Sequence, residues 1–133
     1  MDGTLLRKDK TVSERTKKAI EDARKKGVTV ELATGRPIDG VTKYLEELDM
    51  YGENDYVLSY NGGLVLKTKN REAICKIGLT GEDLHYLYEI SKELGVNIHA
   101  FSETKGLITP KNSKYTEVEA NINNIKINIE DFN

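Results

Sequence analysis

The sequence predicts an α/β fold: a partial doubly wound, Rossmann-like core followed by part of an α+β unit. Three observations predict it. Helix-type and strand-type patterns alternate between residues 13 and 60. Both strand-type runs there lead into polar, glycine-containing turns, Thr34-Gly35-Arg36-Pro37 and Asn61-Gly62-Gly63. Beyond Gly63 the apolar runs become short and pair across turns. Alternating helix and strand implies parallel strands joined by right-handed crossovers, whereas hairpins with a helix imply an α+β arrangement. The Asn-Gly-Gly turn sets the boundary, with residues 1–62 as the partial core and 63–133 as the second part.

Each element has its own signal. Ser13 is an N-cap and Gly27 a C′ stop for a helix over 13–26, with a thin apolar stripe of Ala19, Ile20 and Ala23. Glu14–Lys18, Glu21–Lys25 and Asp22–Lys26 are acid-before-base pairs at i,i+4 that support it, and its basic residues read as a solvated face. Residues 28–33, Val-Thr-Val-Glu-Leu-Ala, are rich in β-branched side chains and read as a strand. A second helix starts near Ile38; Val41, Tyr44, Leu45 and Leu48 form its i, i+3, i+4, i+7 face. Tyr56 to Tyr60 is the next strand. Leu64–Leu66 and Ala73–Ile77 then form two short strands around a polar turn. Thr80 and Asp83 make a capping box for a helix carrying Leu84, Leu87, Tyr88, Ser91 and Leu94 and closed by Gly95. Strands at 96–101, 106–109 and 125–129 and a short helix at 115–120 complete the chain.

Composition narrows the function. A net charge of −2 argues against a nucleic-acid partner, which a basic excess would mark, but allows a small anionic substrate held by local positive potential. No apolar run reaches the ~20 residues of a membrane span, and residues 1–4 lack the pattern of a signal peptide. The single Cys75 lies in an apolar strand-like run and is expected to be a small buried side chain. These features favour the cytoplasm. His85 and His99 have no partners at metal-ligand spacing and are expected to be structural or on the surface.

The chemistry concentrates in three short segments. Thr34-Gly35 stands where a strand gives way to a helix, a place where a hydroxyl and backbone N–H groups can hold an anion; Arg36 adds a charged fork. An ordinary strand–helix turn with a Thr cap would read the same way. Asn61 ends the following strand, where an Asx turn is the ordinary reading. Asp2-Gly3-Thr4 opens the chain.

Together, Asp2-Gly-Thr, Leu32-Ala-Thr-Gly-Arg-Pro37 and Ser59-Tyr-Asn-Gly-Gly63 resemble the haloacid dehalogenase superfamily, in particular its Cof-like branch with a type-IIB cap. The resemblance implies a Mg²⁺-dependent phosphatase that cleaves phosphate monoesters, sugar phosphates or similar metabolites, through an aspartyl-phosphate. It implies that Asp2 is the general acid/base and lends its backbone carbonyl to Mg²⁺. It makes Thr34 the phosphoryl-holding catalytic residue, with Gly35, Arg36 and Asn61 as substrate-binding residues. In the family motif the nucleophilic Asp stands just before the position of Met1. The family's Lys and its Gly-Asp-x-x-Asn-Asp segment find no match after residue 120. The chain is therefore expected to be truncated at both ends relative to the family and inactive alone. Its core strand at 28–33 would then have an open edge through which it forms a homo-oligomer. The alternatives are a non-enzymatic remnant, a small ligand- or partner-binding domain, or a hydrolase assembled from two chains.

Overall fold

The structure, a computed structural model, describes residues 1–133. Two compact units divide between Ile77 and Gly78, and each has its own sheet.

The first unit begins with tight turns over residues 1–10, in which the Met1 carbonyl accepts the N–H groups of Thr4, Leu5 and Leu6. Helix α1, Glu14–Lys25, is capped by the Ser13 side chain and ends before Gly27, whose φ of 81° suits a residue without Cβ. Of the three expected acid–base pairs only Glu21–Lys25 forms; Glu14 meets Lys17 and Asp22 meets Lys18 instead. None of its residues is fully buried, as a solvated face requires. Strand β1 is only Leu32–Ala33, shorter than the expected 28–33, because its sole ladder partner is the parallel strand β2, Tyr56–Ser59. Residues 28–31 have no strand beside them to share hydrogen bonds. Between these strands a 3₁₀ turn at Ile38–Gly40 leads into α2, Thr42–Glu47. The expected apolar face is its anchor: Val41, Tyr44, Leu45 and Leu48 are all buried, with Leu6, Val12, Leu32, Met50, Val57 and Leu66 in the same core.

Strands β3, Leu64–Lys67, and β4, Ala73–Lys76, form a hairpin that extends this sheet in the order β1-β2-β3-β4. β3 pairs antiparallel with β2, so the hairpin lies with the first unit rather than beyond a boundary at residue 62 or 63. The Asn-Gly-Gly turn breaks the βα alternation in the sequence, yet the chain reverses there and returns along the same sheet. A register shift beside Val65/Leu66 marks a bulge in the hairpin. Cys75 is exposed, contrary to the expected burial. β4 is an edge strand with every residue exposed, so its apolar run has nothing packed on it.

In the second unit α3, Gly81–Leu94, opens with the Thr80/Asp83 capping box and closes at Gly95, φ 64°. The sheet has the order β5-β6-β7, from Ala100–Ser102, Gly106–Thr109 and Ile127–Ile129. β5 and β6 form a hairpin; α4, Lys114–Asn123, crosses over to set β7 parallel to β6. Leu107, Ile108, Ala120 and Phe132 are buried there, and Tyr88 meets Phe132 edge-on at 5.7 Å. His85 is tied to the Phe132 carbonyl and His99 to Thr116. No helix is long and apolar enough to cross a membrane.

Candidate active site

The parallel pair β1–β2 brings two turns together at its carboxyl end. Thr34 N–H donates to the Leu58 carbonyl, and from there the turns bond to each other. Asn61 N–H donates to the Thr34 carbonyl at 3.0 Å and Tyr60 N–H to the Arg36 carbonyl at 3.1 Å. Within the first turn Arg36 N–H donates to Thr34 Oγ1 at 3.1 Å, which fixes the hydroxyl. The result is a depression of about 400 Å³ lined by Met1, Ala33, Thr34, Gly35, Leu58, Asn61 and Gly62.

Gly35 and Asn61 fit one another closely. A Cβ at Gly35 would stand 2.9 Å from Asn61 Oδ1, so only glycine leaves room for that amide. Tyr60 and Asn61 have φ of 50° and 56°, two successive non-glycine residues in the left-handed region. Such backbone costs about 1–3 kcal/mol per residue and persists where its surroundings enforce it, which is common at functional sites. Here the two inter-turn hydrogen bonds enforce it.

Beside the depression Asp2 and Arg36 form a two-pronged pair: Arg36 Nε donates to Oδ2 at 3.0 Å and Nη2 to Oδ1 at 2.8 Å. Lys10 Nζ adds a third bond to Oδ1 at 2.8 Å. Arg36, with Lys10 second, holds the Asp2 carboxyl well below the usual carboxylate range, and Asp2 in turn raises Arg36. The guanidinium is buried, reaches the Gly40 carbonyl and lies 5.7 Å from the ring centre of Tyr44. Tyr44 Oη donates to the Lys10 carbonyl, fixing the loop that carries Lys10 at φ 64°.

The site residues read from sequence thus fall into two groups. Thr34, Gly35 and Asn61 share the depression; Asp2 and Arg36 bond to each other, and the Arg36 fork expected to reach a ligand is turned onto Asp2. Lys10, Tyr44 and Met1 were not foreseen. No short-range spacing joins Lys10 or Tyr44 to Asp2; only the packing of α2 under the first loop does. For magnesium, these residues offer the Asp2 carbonyl, which accepts none of the inter-element backbone bonds. A hard cation needs several oxygen ligands, and no group of three His, Cys, Asp or Glu side chains comes together to hold one. The residues present do not by themselves fit a magnesium site.

A model of the haloacid dehalogenase-like hydrolases matches residues 1–133, and the chain belongs to that family. Among curated relatives, "Putative phosphatase YxeH" of Bacillus subtilis (strain 168) is 40% identical over 129 residues, covering 96% of this chain and 47% of the relative. The crystal structure of a haloacid dehalogenase-like hydrolase from Bacteroides thetaiotaomicron superposes with a TM-score of 0.85 at 28% identity, over 98% of this chain and 50% of that one. The HAD subclass IIB sugar phosphatase BT4131 shares the fold at a TM-score of 0.77 and 24% identity, over 99% of this chain and 50% of that one. The chain spans about half the length of the relatives it matches.

Proposed function

We propose that these residues form the phosphate-holding part of a phosphatase that hydrolyses phosphate monoesters of small metabolites, such as sugar phosphates, in the cytoplasm. The observation that carries the reading is the shared depression of Thr34, Gly35 and Asn61 at the end of the parallel pair β1–β2. Ligands of open parallel sheets bind at this end of the strands. In this reading the Thr34 hydroxyl and the turn's N–H groups bind phosphoryl oxygens, and the Asn61 amide, placed over Gly35, bonds the phosphoryl group or a neighbouring hydroxyl.

The family's nucleophilic Asp belongs one residue before Met1. The Met1 nitrogen lies 3.5 Å from the Ala33 carbonyl, so a residue joined to it would stand at the edge of β1 beside Thr34. An aspartyl-phosphate formed there would be adjacent to the phosphate-holding hydroxyl. Asp2 would serve as the acid/base. Held by Arg36 and Lys10 it is ionised, the base form, and taking up a proton requires those bonds to loosen. A bound magnesium ion would supply charge neutralisation, with the Asp2 carbonyl as the one ligand these residues offer. The 133-residue chain alone is therefore a phosphate binder without turnover.

The test uses inorganic phosphate and a hexose phosphate. In ¹H–¹⁵N spectra of the chain, phosphate is expected to shift the amides of Thr34, Gly35, Arg36 and Asn61, and Thr34→Val to abolish the response. Absence of these shifts at tens of millimolar phosphate defeats the binding reading. Separately, magnesium-supported turnover at about 1 s⁻¹ that disappears in Asp2→Asn defeats the claim that the chain is inactive alone.

A further inference from the structure

The charged side chains gathered at Asp2 do not balance. Asp2 carries a single negative charge, and Arg36 and Lys10 both bond its carboxylate, so the cluster keeps a surplus of positive charge. The two cations differ in what they have left to offer. Arg36 is buried, with Nε and Nη2 on Asp2 and Nη1 turned to the Gly40 carbonyl. Lys10 has a side chain 52% exposed and bonds only Asp2 Oδ1, at 2.8 Å, which leaves the rest of its ammonium N–H groups to solvent. The neighbouring Asp9 does not claim them, because its carboxylate is held by the N–H and hydroxyl of Thr11. The fold also builds the position of Lys10. Its backbone is left-handed, φ 64°, a conformation that persists in a non-glycine residue where its surroundings enforce it. Here Lys10 N–H donates to the Arg7 carbonyl, and the buried Tyr44 donates through Oη to the Lys10 carbonyl.

We infer that Lys10 is a specificity-determining residue, which selects phosphate monoesters whose alcohol part carries an anionic group, a carboxylate or a second phosphate, close to the ester oxygen. The inference rests on the reading of Asp2 as the acid/base. An ester oxygen that takes its proton from Asp2 lies one hydrogen bond from that carboxylate, and Lys10 Nζ lies one hydrogen bond from it on the other side. Where both share Oδ1, they stand no more than about 6 Å apart. An anionic oxygen a few bonds beyond the ester oxygen closes that gap and takes a charge-assisted bond from Nζ. A neutral alcohol leaves Lys10 only its bond to Asp2. The lysine ammonium is a compact charge on a flexible stem, able to meet a carboxylate or a phosphate, whereas the enclosed Arg36 fork is already filled. Thr34, Gly35 and Asn61 are uncharged and hold the phosphoryl group whatever the alcohol is, so within this unit the choice of alcohol falls to Lys10.

A matched pair of ligands tests it. Phospholactate and its carboxamide have the same shape and differ by a single charge beside the ester. Their affinities for the full chain, with inorganic phosphate as the reference, are read from the Gly35 and Asn61 amides in ¹H–¹⁵N spectra. Phospholactate is expected to bind roughly two- to fivefold tighter than the carboxamide, the strength of a solvent-exposed ion pair, and added salt shrinks the advantage. In Lys10→Met the two ligands bind equally, and in Lys10→Arg the preference remains. Equal affinities in the wild-type chain overturn the inference. So does a preference that survives Lys10→Met, which would assign the carboxylate to another cation. Failure of inorganic phosphate itself to bind defeats the function proposed above and the inference with it, whereas phosphate binding without the preference defeats the inference alone.

Discussion

Replacing Asp2 by Asn removes the charge that Arg36 and Lys10 share. In the folded chain the Asp2 carboxylate takes bonds at 3.0, 2.8 and 2.8 Å from those two side chains. The Arg36 side chain is 7% exposed and that of Asp2 41%. Breaking a fully buried pair costs about 3–5 kcal/mol, whereas an exposed pair contributes at most about 1 kcal/mol. Asp2 stands between these limits, and asparagine keeps one acceptor oxygen. The expected loss is therefore about 1–2 kcal/mol at neutral pH, discounted for the exposure of Asp2. The pH dependence has a definite sign. The folded-state pKa of Asp2 is lowered, so the pair's contribution is complete above the unfolded-state value of about 4 and is lost as pH falls below it toward the folded-state value. Wild type and Asp2→Asn should differ most at pH 7 and converge below about pH 4. Urea unfolding read from the Val57 and Leu58 amides isolates the first unit, which a bulk signal would mix with the second. A gap of equal size at pH 7 and at about pH 3, or none at either, refutes the argument.

Two further outcomes follow from the geometry. Gly35→Ala brings its Cβ to 2.9 Å from Asn61 Oδ1 and should push that amide aside at a cost of no more than about 1.5 kcal/mol, while weakening phosphate binding; a crystal structure of the variant with Asn61 unmoved contradicts this. Exposed Cys75 should react fully with an aromatic disulfide reagent in the native chain, and protection until unfolding would place it in a contact.

How much was legible in the sequence depended on the range of the interaction. The helix caps at Ser13 and Thr80, the glycine stops at Gly27 and Gly95 and the buried face of Val41, Tyr44, Leu45 and Leu48 were all readable. Each is decided by residues a few positions apart. The grouping of Thr34 with Gly35 is likewise local, whereas Asn61 enters only through the family resemblance of Ser59-Tyr-Asn-Gly-Gly63. Tertiary structure alone decided the rest. The length of β1 depended on how many neighbours it has, and the fate of the 64–76 hairpin on which sheet it rejoined. The exposure of Cys75 followed from an edge strand with nothing packed on it. Arg36 pairs with Asp2, 34 residues away, because α2 and its Tyr44 pack beneath the first loop and deliver Lys10 to the same carboxylate. Local patterns determine caps, stripes and turns because their energies come from near neighbours along the chain; where a charged side chain finds its partner is set by packing across the fold, which no spacing in the sequence records.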